Sequence, residues 1–218
     1  MKNLFFDFDG TIANTKEGII NALKDMSKTL DIPVLDDSIY LKFIGPALTE
    51  GMKQYYPDFP EERYPEAIAA YDKFYNATGI NQLSLYPHMK ETLAQLKDAG
   101  YNLYISSAKP DPVVKILIPR LGLSDYFTGI YGAATDGFSL NTKSAILNYG
   151  LTDAKITDLD ETVMIGDRMT DIIGGAKNNV HTLGITYGFG DHQELADAGA
   201  EVIVDHVTDI PEGIKKFN

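Results

Sequence analysis

The chain has 218 residues, 44% apolar and 23% charged, the balance of an ordinary globular protein able to bury a good core as one domain with an insertion or as two small domains. Its 31 acidic and 19 basic residues give a formal charge of −12, which argues against nucleic acid or an anionic membrane as the main partner and requires local cations for any anionic substrate. No stretch approaches a membrane span, the N-terminal apolar run is too short for a signal peptide, and the lack of cysteine removes disulfides and thiolate chemistry and fits a cytoplasmic protein.

Leu4, Phe5, Phe6 and Phe8 form a short apolar run, as in a strand buried on both faces of a parallel sheet. Asp7 and Asp9 interrupt it where it should end, and residues two apart in a strand point to the same side. Gly10 then permits a sharp turn and a close backbone approach to a ligand. Thr15 is placed to cap a helix through Ile19, Ile20, Leu23, Met26 and Leu30. Further amphipathic segments fall near 36–44, 48–56 and 62–77, so the block 15–83 reads as a helical bundle without strands. From Pro87 the pattern alternates: helix 88–98, strand 101–105, helix 111–121 with a kink expected at Pro119 and a stop at Gly122, and strand 129–133. Helix 142–149, strand 162–165, helix 170–178, strand 180–185, helix 191–198, strand 201–204 and helix 211–217 complete the series. This is the pattern of an α/β doubly wound, Rossmann-like parallel sheet, with a core of 1–14 and 84–218 and an inserted helical cap of 15–83.

Ligands of such sheets bind outside the carboxyl ends of the strands. The first strand brings Asp7 and Asp9 there, the second Ser106 and Ser107 in Y-I-S-S-A-K-P, and the strand at 162–165 Asp167 in G-D-R-M-T-D. Asp171, four residues on, can share a helix face with Asp167, and Lys143 starts the preceding helix. Each has a bland reading. The serine is a turn residue, the lysine a solvated one, and Asp167 and Asp171 are caps that favour the helix dipole. A calcium loop starting at Asp7 fails, because Ile12 and Gly18 stand where Gly and Glu are needed. The convergence of carboxylates, hydroxyls and a lysine on one sheet edge favours catalysis or metal binding. No Gly-Lys pair exists for a P-loop, and G-F-G at 188–190 lacks the third glycine of a dinucleotide loop.

In this order the motifs resemble those of the haloacid dehalogenase-like hydrolase superfamily over nearly the whole chain. D-F-D-G-T is similar to its first motif, Ser106 to its second, Lys143 to its third and G-D-R-M-T-D to its fourth. An insertion between the first two motifs matches the class with an α-helical cap. G-D-R-x-x-D-I-I-G-A and A-G-A-E-V-I-V-D are similar to the branch of phosphoglycolate phosphatases and 5′-nucleotidase-like members; the first of these reads G-D-R-M-T-D-I-I-G-G here, so its final alanine is a glycine.

The resemblance implies a Mg²⁺-dependent phosphatase acting on a small phosphomonoester through an aspartyl-phosphate. Asp7 would be the nucleophile and Asp9 the general acid and base. Ser106, Ser107 and Lys143 would bind the phosphoryl group. The side chains of Asp7 and Asp167 and the main-chain carbonyl of Asp9 would hold Mg²⁺, and Asp171 would hold metal-bound water or orient Lys143. Asp9 disfavours a dehalogenase, and Ile19 stands where mutases of this cap class carry a histidine. The rival from another class is a non-catalytic phospho-aspartate signalling or binding module, which would be shorter and lack the insertion. The cap aromatics Tyr55, Tyr56, Phe59, Tyr71, Phe74 and Tyr75 could stack on a base, but their helical spacing assigns most of them to cap core. Ile44–Ala47 reads as a cap loop that lowers onto the site. Of the substrates, a nucleoside monophosphate is placed slightly ahead of phosphoglycolate. The sequence leaves the oligomeric state open.

Overall fold

A computed structural model describes residues 1–135 and 139–217. The chain divides into two compact units, Met1–Ala13 with Leu85–Asn218, and Asn14–Ser84.

The first unit begins with β1 (Asn3–Phe6), in which Leu4, Phe5 and Phe6 are fully buried. The chain then builds the second unit from α1 (Lys16–Thr29), α2 (Asp37–Tyr40), α3 (Leu48–Tyr55) and α4 (Tyr64–Ala77). It returns through α5 (Met89–Asp98), β2 (Asn102–Pro110), α6 (Asp111–Arg120), β3 (Phe127–Ala133), α7 (Lys143–Asp153) and β4 (Thr162–Gly166). It closes with α8 (Met169–Lys177), β5 (His181–Ile185), α9 (His192–Asp197), β6 (Val202–Val204) and α10 (Ile210–Lys215).

These six strands form one parallel sheet, apart from a two-stranded ribbon of Ala13–Asn14 and Ser84–Leu85, in the order β3-β2-β1-β4-β5-β6, with Phe6 opposite Ile105 on one side and Ile165 on the other. This is the doubly wound order, and strand direction of travel reverses at β1, between β2 and β4. A central strand paired on both sides and covered on both faces must be apolar throughout, which explains the Leu4–Phe6 run. Phe5 stacks on Tyr104 with ring centroids 4.7 Å apart and, with Ile146, Leu147 and Leu151 of α7, forms a core cluster on the sheet. The Rossmann-like architecture expected from the alternation is the one observed.

Local boundaries differ in instructive ways. β2 does not stop at Ile105 but continues to Pro110, pairing Ser106 with Tyr131 and Ser107 with Gly132. The apolar run ends earlier than the hydrogen-bonded ladder because polar side chains are admitted where the strand reaches the site. Pro119 is the penultimate residue of α6, so the hydrogen bond its missing N–H forgoes is among the last of the helix, and Gly122 follows with φ +68°. Thr15 occupies the N-cap position of α1, but its side chain makes no capping bond; Asn14 Oδ1 accepts from the Lys16 amide instead, at 3.2 Å.

In the second unit α1 buries Ile19, Ile20, Leu23 and Met26, one stripe of a 3.6-residue period. One buried polar cluster there closes on itself. Ser27 Oγ lies 2.8 Å from Tyr40 Oη and 2.9 Å from Tyr56 Oη, and the two phenols are 3.1 Å apart. Ser27 Oγ lies 2.9 Å from Leu23 O and Tyr56 Oη 2.9 Å from Pro33 O, so each hydroxyl has its one proton within reach of an acceptor, and Tyr40 accepts from the Leu35 amide. Among the six aromatics considered above, Tyr56, Phe59 and Tyr75 are buried; Tyr55 lies against Phe43 and Tyr71 stacks on Tyr75. Among the described residues no helix is long and apolar enough to cross a membrane.

Candidate active site

β1 ends at Phe6, and the Asp7 amide still donates to Ile165 O at 2.9 Å, so the nucleophile candidate sits on the last rung of the ladder. Gly10 follows with φ +85°, the left-handed turn for which a glycine is suited. Lys143, the first residue of α7, places Nζ 2.6 Å from Asp7 Oδ1 and 2.6 Å from Asp171 Oδ1. Carboxylate oxygens of Asp7, Asp167 and Asp171 all lie within 4.8 Å of one another, and these side chains are almost wholly buried.

Asp167 is not on a helix face with Asp171, as the spacing suggested. It precedes α8, which begins at Met169, and Asp171 is the third residue of that helix. Asp171 Oδ2 accepts from the Arg168 amide at 3.2 Å, so the capping role and the site role belong to one carboxylate. Asp167 is held by neutral donors: Thr11 Oγ1 donates to Oδ1 at 3.3 Å and the Phe189 amide to Oδ2 at 2.7 Å.

Asp9 stands apart from the three clustered acids. Lys109 Nζ lies 3.0 Å from both of its carboxylate oxygens, and both side chains are buried. Lys109 was not singled out in the sequence. It was legible only as a lysine two residues beyond Ser107, on the same side of a strand that had to be longer than its apolar run. Thr11 and the 187–189 segment were missed for a different reason: nothing in sequence spacing connects them to Asp167.

Ser106 and Ser107 are both buried at the end of β2. Ser107 Oγ accepts from the Lys109 amide at 3.3 Å. Ser106 Oγ is fully buried and has no hydrogen-bond partner among the described residues. A buried hydroxyl left unpaired costs about 1–3 kcal/mol, so its place calls for a ligand.

The charges are unbalanced. Asp7, Asp9, Asp167 and Asp171 face Lys109 and Lys143, while Arg168 pairs with Glu194 at 2.8 Å. Burial, followed by Asp7 and Asp171, pushes the Asp167 carboxyl well above the usual range. Burial and Asp7 push Asp171 up to about 7 against the pull of Lys143. Burial works against the Lys143 ammonium, yet Asp171 and Asp7 hold its pKa above the ordinary lysine value. Crowded carboxylates that cling to protons are a site short of a cation, and three hard oxygen donors suit a divalent ion such as Mg²⁺. The second unit has an open polar cleft of about 630 Å³, lined in part by Lys16, Glu17, Asn21, Lys24 and Gln82, which contains none of these residues; Lys24 there pairs with Asp37 at 2.6 Å.

A strand-end aspartate and a lysine between two carboxylates thus meet at one edge of a doubly wound sheet. The family model for haloacid dehalogenase-like hydrolases matches residues 4–185, and the chain belongs to that family. It is 32% identical to a 5′-nucleotidase of Pseudomonas aeruginosa, across 88% of this chain and 86% of that protein. It is 30% identical to the tyrosine-protein kinase PtkA of Mycobacterium tuberculosis, across 96% of this chain and 70% of the kinase. A phosphoglycolate phosphatase of Vibrio vulnificus is 25% identical across 96% and 94% of the two chains. The crystal structure of a predicted phosphatase from Clostridium acetobutylicum superposes with a TM-score of 0.94 at 36% identity, covering 99% of this chain and 98% of that one.

Proposed function

We propose that the protein is a Mg²⁺-dependent phosphatase that hydrolyses a small phosphomonoester through an aspartyl-phosphate, with the helical unit 15–83 serving as its cap over a core of 1–14 and 84–218. The observation that carries this reading is the buried cluster of Asp7, Asp167 and Asp171 with Lys143 at 2.6 Å from two of them.

Asp7 attacks phosphorus, the bond to the leaving oxygen breaks, and Asp9 delivers the proton that oxygen needs. In the second half Asp9 takes a proton from the water that cleaves the aspartyl-phosphate. The hydroxyl of Ser106, unpartnered among the described residues, offers with Ser107 donors to phosphoryl oxygens. Lys143 offsets charge on both Asp7 and the phosphoryl group, and Asp171 holds that lysine in place. Asp7, the Asp9 main-chain carbonyl and Asp167 would hold Mg²⁺, which when bound supplies the positive charge that admits a phosphate among carboxylates.

The substrate class follows from two supports. The charge of −12 opposes a polyanion, and a helical cap rewards a compact ester. Of the two candidates, the higher identity to the 5′-nucleotidase favours a nucleoside monophosphate over phosphoglycolate. The test is phosphate release from both esters in one buffer, with Mg²⁺ and with excess chelator. Activity that survives the chelator removes the metal, and a large kcat/KM preference for phosphoglycolate refutes the nucleotide. Hydrolysis of phosphoproteins but of neither small ester refutes the cap's role.

A further inference from the structure

We propose that the segment Tyr187–Gly190 is a clasp that orients Asp167 for its metal, a positioning role that rests on the Mg²⁺-dependent reading of the site.

The segment follows β5 and makes two bonds in two directions. The Phe189 amide donates to Asp167 Oδ2 at 2.7 Å, and the Tyr187 hydroxyl donates to Thr11 O at 3.0 Å. Thr11 closes the circuit through its own hydroxyl, 3.3 Å from Asp167 Oδ1. Both oxygens of one buried carboxylate are therefore fixed, one by the segment directly and one by a residue the segment holds. Tyr187 is itself anchored against Tyr86, with ring centroids 4.8 Å apart at 65°.

The nature of the donors matters as much as their number. Lys143 lies at ion-pair distance from Asp7 and Asp171, whereas Asp167 receives, among the described residues, an amide and a hydroxyl. Neutral donors orient a carboxylate without supplying the positive charge that a cation brings, so Asp167 is aimed but left for a cation to neutralise. Outer partners of this kind typically contribute about 10–100-fold to metal affinity.

The glycines of Y-G-F-G also gain a reason. A Cβ at Gly188 would stand 2.4 Å from Asp167 Cβ and 2.5 Å from Gly10 O, and one at Gly190 would stand 2.1 Å from Asp167 O. Any side chain at either position pushes the segment off Asp167. The motif that fails as a dinucleotide loop is thus accounted for by close approach to a carboxylate.

The experiment compares the full-length wild type with Tyr187→Phe and Gly188→Ala. Mg²⁺ is titrated against thermal unfolding of the metal-free proteins, and the Mg²⁺ concentration for half-maximal turnover is measured in parallel. The expected result is a Mg²⁺ requirement raised by about tenfold in Gly188→Ala and severalfold in Tyr187→Phe. The rate at saturating Mg²⁺ should fall by less than the affinity, and melting in chelator should stay near wild type for Tyr187→Phe. If Gly188→Ala does not fold, Tyr187→Phe decides, since it removes one bond and little volume. Unchanged Mg²⁺ affinity in a folded Tyr187→Phe, whatever Gly188→Ala does, overturns the clasp while leaving the phosphatase reading intact. A wild type that neither binds nor needs Mg²⁺ overturns both.

Discussion

Two buried polar clusters, one in each unit, are treated in opposite ways. In the helical unit the hydroxyls of Ser27, Tyr40 and Tyr56 bond to one another and to backbone, within 3.1 Å throughout. In the sheet unit Ser106 Oγ is buried without a partner among the described residues, and burial and neighbouring acids push the Asp167 and Asp171 carboxyls above their usual range. A satisfied network stabilises its own fold, while an unsatisfied one stores a cost that a ligand removes. The difference separates groups that hold the protein together from groups that wait for a substrate.

The strongest test of that division is Asp7→Asn, which should abolish turnover of a generic phosphate ester while circular dichroism and melting report an intact fold. Asp9→Asn should lose at least about a hundredfold, the lower end for a general acid and base. The loss should shrink for esters with good leaving groups, and an equal loss across leaving groups would contradict its role. A paired substitution sharpens the comparison itself. Ser106→Ala should lower kcat/KM by about tenfold or more, the value of a hydrogen bond to a charged group, and leave melting unchanged or slightly raised. Ser27→Ala should do the reverse, costing about 1 kcal/mol of stability with kcat/KM unchanged. Two serines with the same response would erase the distinction between the units.

The smallest effect is on stability against pH. A carboxyl whose folded pKa is raised stabilises the fold in its protonated form, fully below about pH 4. For Asp171 that contribution is lost as pH rises through about 7. Melting in chelator should therefore fall between these limits, and Mg²⁺ should flatten the decline. A trend untouched by Mg²⁺ would place its cause outside the cluster.

Much of this was readable in the chain because the deciding contacts are local or periodic. The run Leu4–Phe6, the alternation after Pro87 and the carboxylates at strand ends follow from burial and from the two-residue and 3.6-residue repeats. They pointed to the α/β sheet, to Asp7, Ser106 and Asp167 at its strand ends, and to Lys143 at the start of a neighbouring helix. Tertiary structure decided what no repeat encodes: that β2 runs on to Pro110, that Lys109 meets Asp9 across 100 residues, and that Phe189 and Thr11 meet at Asp167. Such contacts depend on which strand neighbours which and on how closely two backbones approach. Neighbouring strands here come from distant parts of the chain, so spacing along the sequence carries no record of the distance between their ends in space.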